Sequence, residues 1–465
     1  MSDASVSRSS GKDEHRAADQ AGLLAVWIVF ALTRFYLLLM FLPQFSDLQV
    51  YFGYAVRGVD LHQTPYRDIE IEYPPVAYWL MAVPRLTSGE AIPEDVFQNP
   101  GQLGQHYSNY ASSFRWMLLG VDLVCFLLFL AVIRRRDSDQ LSSAAWGYVV
   151  STAVLGHFLY DRLDLGLSLL FMTWLCARDR WIDGEGRTAW NAFSYFVLGL
   201  SVSYKLIGVV AFPFVLLADL HAARRAQSVS KAMVLPVLCS VAGGLGPFLL
   251  HYPTAGWSTL DFLKYHGERG VQIESVYASL LMACSALGHE IAVQMGHGSA
   301  NLASSLSSAL ASGSTYAVLG SLLVLAGWSL KKAGGFGGTA GTRAAVLAIL
   351  LTLLFSKVLS AQYLIFAFPL MLLLSAELLS VRAGAVVSLA VVVLSVLTTI
   401  VVPYCWFNIH PITGIANPFG LVPELNPLTC GILVVRNLLF AMLVVWLVCR
   451  VVWPVKRREA ALFDE

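Results

Sequence analysis

Residues 21–43 read AGLLAVWIVFALTRFYLLLMFLP, a run interrupted by one charge, Arg34. About 20 helical residues cross a hydrocarbon core about 30 Å thick, so the run is long enough for one crossing. The twenty residues before it are polar and charged. The run exceeds the roughly 7–15 apolar residues of a signal peptide, and no small-residue cleavage site follows it. An uncleaved first span is therefore expected. Similar apolar runs stand at 113–133, 143–160, 163–177, 190–204, 206–220, 232–251, 314–330, 344–358, 362–380, 383–403 and 429–449. They predict about 12 spans, several of them short, as happens where helix ends open into a cavity. The composition agrees, with 57% hydrophobic and 13% charged residues against about 25% charged in soluble domains. The mean hydropathy is +0.65. The expected fold class is all-α and integral to the membrane. One transmembrane domain, 21–450, lies between a polar tail, 1–20, and a basic tail, 451–465.

Charge orients this array. Twenty of the 31 basic residues fall on the side of the N-terminus, from Arg8, Lys12 and Arg16 through Arg134–Arg136, Arg224 and Lys331 to Arg450 and Arg458. The opposite side has longer loops but fewer basic residues, and Arg34 and Arg436 lie within spans. By the positive-inside rule both termini are cytoplasmic. Segment 276–295 is ambiguous: a full span there would place the basic C-terminal tail outside, so a re-entrant or surface helix is expected. The two long loops, about 44–112 and 252–313, then face outward, and long loops are where function concentrates. The net charge of +1 points to no polyanionic partner, and nucleic acid is not expected. Cys405 and Cys430 fall at one expected membrane surface, where a disulfide is one option.

The first outer loop opens with Phe45-Ser46-Asp47 and continues through Tyr51 and Tyr54 to Pro65-Tyr66 and Glu72-Tyr73-Pro74-Pro75. The stretch 76–86 that follows is apolar and aromatic, as in a helix lying in the interface. The second loop carries Arg269-Gly270-Val271-Gln272-Ile273-Glu274-Ser275, and a third stretch reads Ser356-Lys357-Val358-Leu359-Ser360-Ala361-Gln362-Tyr363. As a set these resemble the motifs of the family-87 glycosyltransferases, members of the C-type superfamily that take sugars from lipid phosphates. The polyprenol-phosphate-mannose-dependent mannosyltransferases are among them. Ala361 stands where that family more often has Pro. Tyr160-Asp161-Arg162-Leu163-Asp164 and Lys205 agree with the same resemblance, which spans most of residues 21–450.

The resemblance implies a C-type glycosyltransferase fold and a polyprenyl-phosphate sugar, such as a mannosyl donor. The acceptor would be a lipid or a lipid-linked glycan, met at the external face among membrane lipids. It also implies Asp47 as the catalytic carboxylate. The chemistry is consistent with this. A phosphate leaving group is already acidic and needs no proton, so one general base on the acceptor hydroxyl suffices. The paired carboxylates of glycoside hydrolysis serve poorer leaving groups. Cations must meet the phosphate, and Arg162, Lys205, Arg269 and Lys357 are the candidates. Each has an alternative. Arg162 sits between Asp161 and Asp164, where structural pairing is as open as ligand binding. Lys205 and Lys357 close apolar runs and could snorkel to headgroups. Arg269 is in the motif and away from a span end. Tyr51, Tyr66, Glu72, Tyr73, His266, Gln272, Glu274, Gln362 and Tyr363 are the substrate-binding candidates, with Glu274 open to orienting Arg269, binding a sugar hydroxyl, or solvation. Asp122, inside the second span, is costly unless paired or in a wet cavity.

The outer histidines lack a spacing such as His-x-x-x-His, so no metal is expected. No cofactor beyond the lipid-phosphate donor is implied. No nucleotide fingerprint is present, and the cytoplasmic loops are too short for a nucleotide-binding domain. The competing reading is a multispan transporter or flippase of lipid-linked sugars. It predicts two similar halves with interrupted helices in matching positions, yet 44–112 has no counterpart in the second half.

Overall fold

A computed structural model describes residues 3–40, 47–87, 92–93, 100–184, 187–225, 229–331, 338–401 and 425–453. Cys405 lies outside the described residues, so the disulfide question falls there too. In chain order the helices are α1 (Asp3–Met40), α2 (Asp47–Val59), α3 (Pro75–Thr87), α4 (Pro100–Arg136), α5 (Leu141–Leu155) and α6 (His157–Asp161). There follow α7 (Asp164–Ile182), α8 (Arg187–Tyr204), α9 (Phe212–Arg225), α10 (Val229–Ala255), α11 (Phe262–Gly267) and α12 (Val276–Ser285). A two-stranded hairpin, β1 (Ala292–Gly296) and β2 (Ser299–Ala303), precedes α13 (Ser307–Lys331), α14 (Gly338–Phe355), α15 (Leu364–Leu378), α16 (Val381–Thr399) and α17 (Pro427–Val452).

The protein is all-α apart from that hairpin, and it is a multi-pass membrane protein. Among the described residues, 9 helical segments are long and apolar enough to cross a bilayer. Within the described residues each of the twelve apolar runs is largely helical. Those that fall outside the nine are α5, short at 15 residues, α7, with Asp164, Arg178, Asp179 and Arg180 in its length, and α8, with a polar first turn. The helix α4 starts at Pro100, well inside the stretch 44–112 expected as loop, because Pro suits a first helical turn and nothing until Asp137 breaks the helix. Helix α12 is 10 residues long, too short to cross, and it packs against α17.

Helix α15 is buried on nearly every side, as expected of an element apolar all round, and α5, α7, α16 and α17 surround it. Helices α8 and α10 cross backbone to backbone. A methyl group at Gly243 would meet the Phe196 carbonyl oxygen at 2.2 Å, and one at Gly199 the Ser240 carbonyl oxygen at 2.4 Å. Small residues permit this approach where no hydrophobic drive separates helix from lipid.

The charge inside the second span is paired. Asp122, on α4, accepts from Arg34 Nε at 2.9 Å, from Tyr148 at 2.8 Å and from Tyr160 at 3.0 Å. Arg34 and Asp122, both within apolar runs, thus neutralise each other across α1 and α4.

Candidate functional site

Helix α2 turns Leu48, Tyr51, Phe52, Ala55 and Val56 inward and packs on α3 and α4. That fixes its first residue, Asp47, at a helix N-terminus, where the peptide dipoles favour a carboxylate. Asp47 forms an ion pair with Arg162. Arg162 occupies the break between α6 and α7, its backbone extended at φ −131°, ψ 149°. The neighbouring carboxylates are taken by other cations. Asp161 receives two bonds from Arg115, at 2.6 and 2.8 Å, and Asp164 one from Lys205 at 2.5 Å. The ion pair that Arg162 forms is with neither sequence neighbour but with Asp47, because α6 ends by turning Asp161 toward Arg115 of α4 and α7 begins by turning Asp164 toward Lys205. Lys205 lies in the extended link between α8 and a short 3-10 turn, its Nζ 4.1 Å from the centre of the Tyr363 ring.

The segment 262–303 packs against this group, with His266 near Lys205 and Glu274 near Arg162. The hairpin turns at His297-Gly298, with φ of 50° and 63°, the pattern of a type I′ turn. A Cβ at Gly298 would lie 2.4 Å from the Tyr265 hydroxyl and 3.4 Å from Glu72 Oε2, so only glycine lets these two side chains pass beneath the turn. Strand β2 holds the Arg269–Ser275 motif in place. The Ile273 N–H donates to the Ala300 carbonyl at 3.0 Å, and Leu302 N–H to Val271 at 2.8 Å. Gln272 N–H donates to the Lys357 carbonyl at 2.9 Å, which joins the second and third motifs directly.

Arg269 stacks over the Tyr265 ring at 5.1 Å, and its Nε is buried without a partner. Lys357 Nζ donates to the Gly267 carbonyl at 2.9 Å. Burial, reinforced by the charge of Arg269, lowers the Lys357 pKa below the ordinary lysine value. Among the described residues, neither cation has a carboxylate at ion-pair distance. His266 lies beside Arg269 and Lys205, in hydrogen-bond contact with the Glu72 backbone. Glu72 also touches Tyr265. Tyr73 and Tyr51 approach hydroxyl to hydroxyl at 3.4 Å, and Tyr73 feels both Asp164 and Arg269.

Glu274 is buried. Its Oε2 accepts from the Ala361 N–H at 3.1 Å and from Gln272 Nε2 at 3.3 Å. Its Oε1 and the Gln272 Oε1 have no partner. Burial raises the Glu274 pKa, opposed by Arg436, the Ala361 N–H, Arg162 and Ser360. Gln362 and Tyr363 share the adjacent turn, Ala361–Tyr363.

Tyr66 stands apart from the cations. Its ring is buried with Ile69, Ile71, Tyr78 and Ala255, and its hydroxyl donates to the Tyr73 carbonyl at 2.9 Å. It props the turn that presents Glu72-Tyr73. Arg162 and Lys205 are committed to carboxylates, which leaves Arg269 and Lys357 as the two of the expected four with no ion-pair carboxylate among the described residues. Among the described residues, no group of three or more His, Cys, Asp or Glu side chains is placed to hold a metal. Sequence reasoning passed over Tyr265 and the Arg436-Asn437 pair of α17. The one signal for the latter was a charge in the middle of an apolar run.

Set against protein-family models, curated proteins and solved structures, the chain matches none. The functional reading therefore rests on this geometry and on the motif resemblance.

Proposed function

We propose that this chain is a membrane glycosyltransferase of C-type architecture, with twelve spans and both termini cytoplasmic. It takes a sugar, with mannose the first candidate, from a polyprenyl phosphate and transfers it to a lipid or lipid-linked glycan at the external face of the cell membrane. The observation that carries the reading is a helix-terminal carboxylate, Asp47 on Arg162, whose arginine also feels Glu274 of the second motif, the motif that joins Arg269 to Lys357, two cations with no ion-pair carboxylate among the described residues. A carboxylate for a hydroxyl and cations for a phosphate are the two elements that transfer from a lipid phosphate requires.

In the proposed step, an Asp47 oxygen accepts the proton of the acceptor hydroxyl as that oxygen attacks the anomeric carbon. The bond from the anomeric carbon to the phosphate oxygen breaks on the far face, so configuration inverts. The electron pair leaves with polyprenyl phosphate, whose charge Arg269 and Lys357 meet. Arg162 keeps Asp47 ionised and aimed before the acceptor arrives.

The test compares transfer of radiolabel from polyprenyl-phosphate-mannose into lipid extract by the purified protein and by Asp47→Asn. Loss of a general base costs about 10²–10⁴-fold, with donor binding retained. Equal transfer by both proteins would remove Asp47 from the mechanism. Silence of the wild type across lipid-phosphate sugars would refute the transferase reading.

A further inference from the structure

Among the described residues, five arginines are buried: Arg34, Arg85, Arg115, Arg178 and Arg436. Four of them pair with an aspartate, at 2.9 Å to Asp122, 2.6 Å to Asp60, 2.6 Å to Asp161 and 2.8 Å to Asp219. Arg436 has no carboxylate at that distance. It lies within α17, a lipid-crossing helix, where an ionisable group is costly. Its Nη1 donates to the Glu274 backbone carbonyl at 3.3 Å, while its Nε and Nη2 have no partner. Its neighbour Asn437 donates to the Glu274 and Ser275 carbonyls at 3.1 Å each and to Ser279 at 2.7 Å. Two consecutive polar residues of a span are thus spent on the backbone of one motif.

The Glu274 side chain sits above them with one oxygen satisfied and one free. The charged groups facing it are Arg436 from α17 and Arg162 from the α6–α7 break. The donors on its Oε2 come from its own segment and from the Ala361 turn.

We propose that Arg436 is a positioning residue for Glu274, holding it as an ionised acceptor that takes a ring hydroxyl of the transferred sugar on Oε1. The proposal rests on the transferase reading. The free Gln272 Oε1 beside it supplies a second acceptor, so the pair suits adjacent hydroxyls. A buried arginine that served only to anchor backbone would not need to match the charge of the side chain above it.

The experiment is the pH dependence of kcat/KM for the full-length protein in detergent, using polyprenyl-phosphate-mannose. An opposite charge within about 4–6 Å lowers a carboxyl pKa by about 1–3 units. In Arg436→Met the acid limb should accordingly move to higher pH by about one unit or more, and Arg436→Lys should bring it back. In Glu274→Gln the limb should move to lower pH, where Asp47 alone sets it, and kcat/KM should fall by about 10–100-fold, the worth of a hydrogen bond to a charged group. An acid limb unchanged in both Arg436→Met and Glu274→Gln would overturn the proposal while leaving the transferase reading intact. If Arg436→Met does not fold, Glu274→Gln decides alone: a limb that persists there at the same pH overturns the proposal. A wild type that transfers nothing from any lipid-phosphate sugar refutes both readings together.

Discussion

Lys205 and Arg269 are both candidate phosphate ligands in the sequence, with Arg269 preferred for its place in the motif, and the structure separates them further by what each already holds. Lys205 Nζ lies 2.5 Å from Asp164 Oδ1, with the lysine side chain 22% exposed and the aspartate 1%. Removing the cation in Lys205→Met leaves Asp164 charged, buried and unmatched. Breaking a buried pair from one side costs about 3–5 kcal/mol. The partly exposed lysine, and the second Asp164 oxygen that already goes unsatisfied, place the expected loss at or just below the bottom of that range, about 2–3 kcal/mol. Asp164→Asn in the same chain removes the stranded charge and should recover most of that loss. The assay is a double-mutant cycle on unfolding in mild detergent, run beside donor binding. A strong coupling energy with donor affinity changed less than about threefold in Lys205→Met fits a structural counter-ion. The reasoning fails if Lys205→Met keeps its stability yet weakens donor binding by about 10–100-fold, the loss expected for a charge-assisted bond to phosphate. Lys205 would then be a ligand, and the pair with Asp164 only its resting place.

Arg269→Gln should behave in the opposite way, with near-native unfolding and a donor KM raised about tenfold or more, because no carboxylate is stranded. Steady-state kinetics beside a thermal scan check it. Lys357 has a pKa lowered by burial and by Arg269. A lysine is charged below its pKa, so the alkaline loss of donor affinity should begin below the ordinary lysine range, and Lys357→Arg should push that limb to higher pH; binding measured from pH 7 to 10 reads it. Gly243→Val puts a side chain where Phe196 O stands 2.2 Å from a Cβ. Helices α8 and α10 must part, at a cost at or beyond the 1–3 kcal/mol typical of overpacking, and the yield of folded protein on size-exclusion chromatography should collapse.

The hydropathy of the chain decided its class without any structure, because the bilayer demands about 20 apolar residues per crossing and leaves no other use for twelve such runs. The stretch 76–86, too short to cross, was legible as a helix from its apolar and aromatic make-up, and α3 (Pro75–Thr87) is there. The three motif stretches were legible as a set, and the structure brings them to one place. Who pairs with whom was not legible. Arg162 has aspartates on both sides in sequence, yet its ion pair is with Asp47, more than a hundred residues away along the chain. Tyr66 belongs to the same motif stretch as Tyr73, yet its ring turns into a separate small core. A span charge such as Arg436 announces only that something must compensate it.

Local pattern records whether a residue prefers lipid, helix or turn, since those preferences act within a few residues. Charge pairing acts through distances of about 3–4 Å in a medium of low dielectric, and such distances arise between helices whose order in space the chain alone does not state. The sequence therefore determined that this protein crosses a membrane many times and carries its polar motifs on one face. The packing of α2, α7, α17 and the hairpin decided which cation pairs with Asp47, which motif cations have no ion-pair carboxylate among the described residues, and that an arginine from within a span reaches the Glu274 backbone.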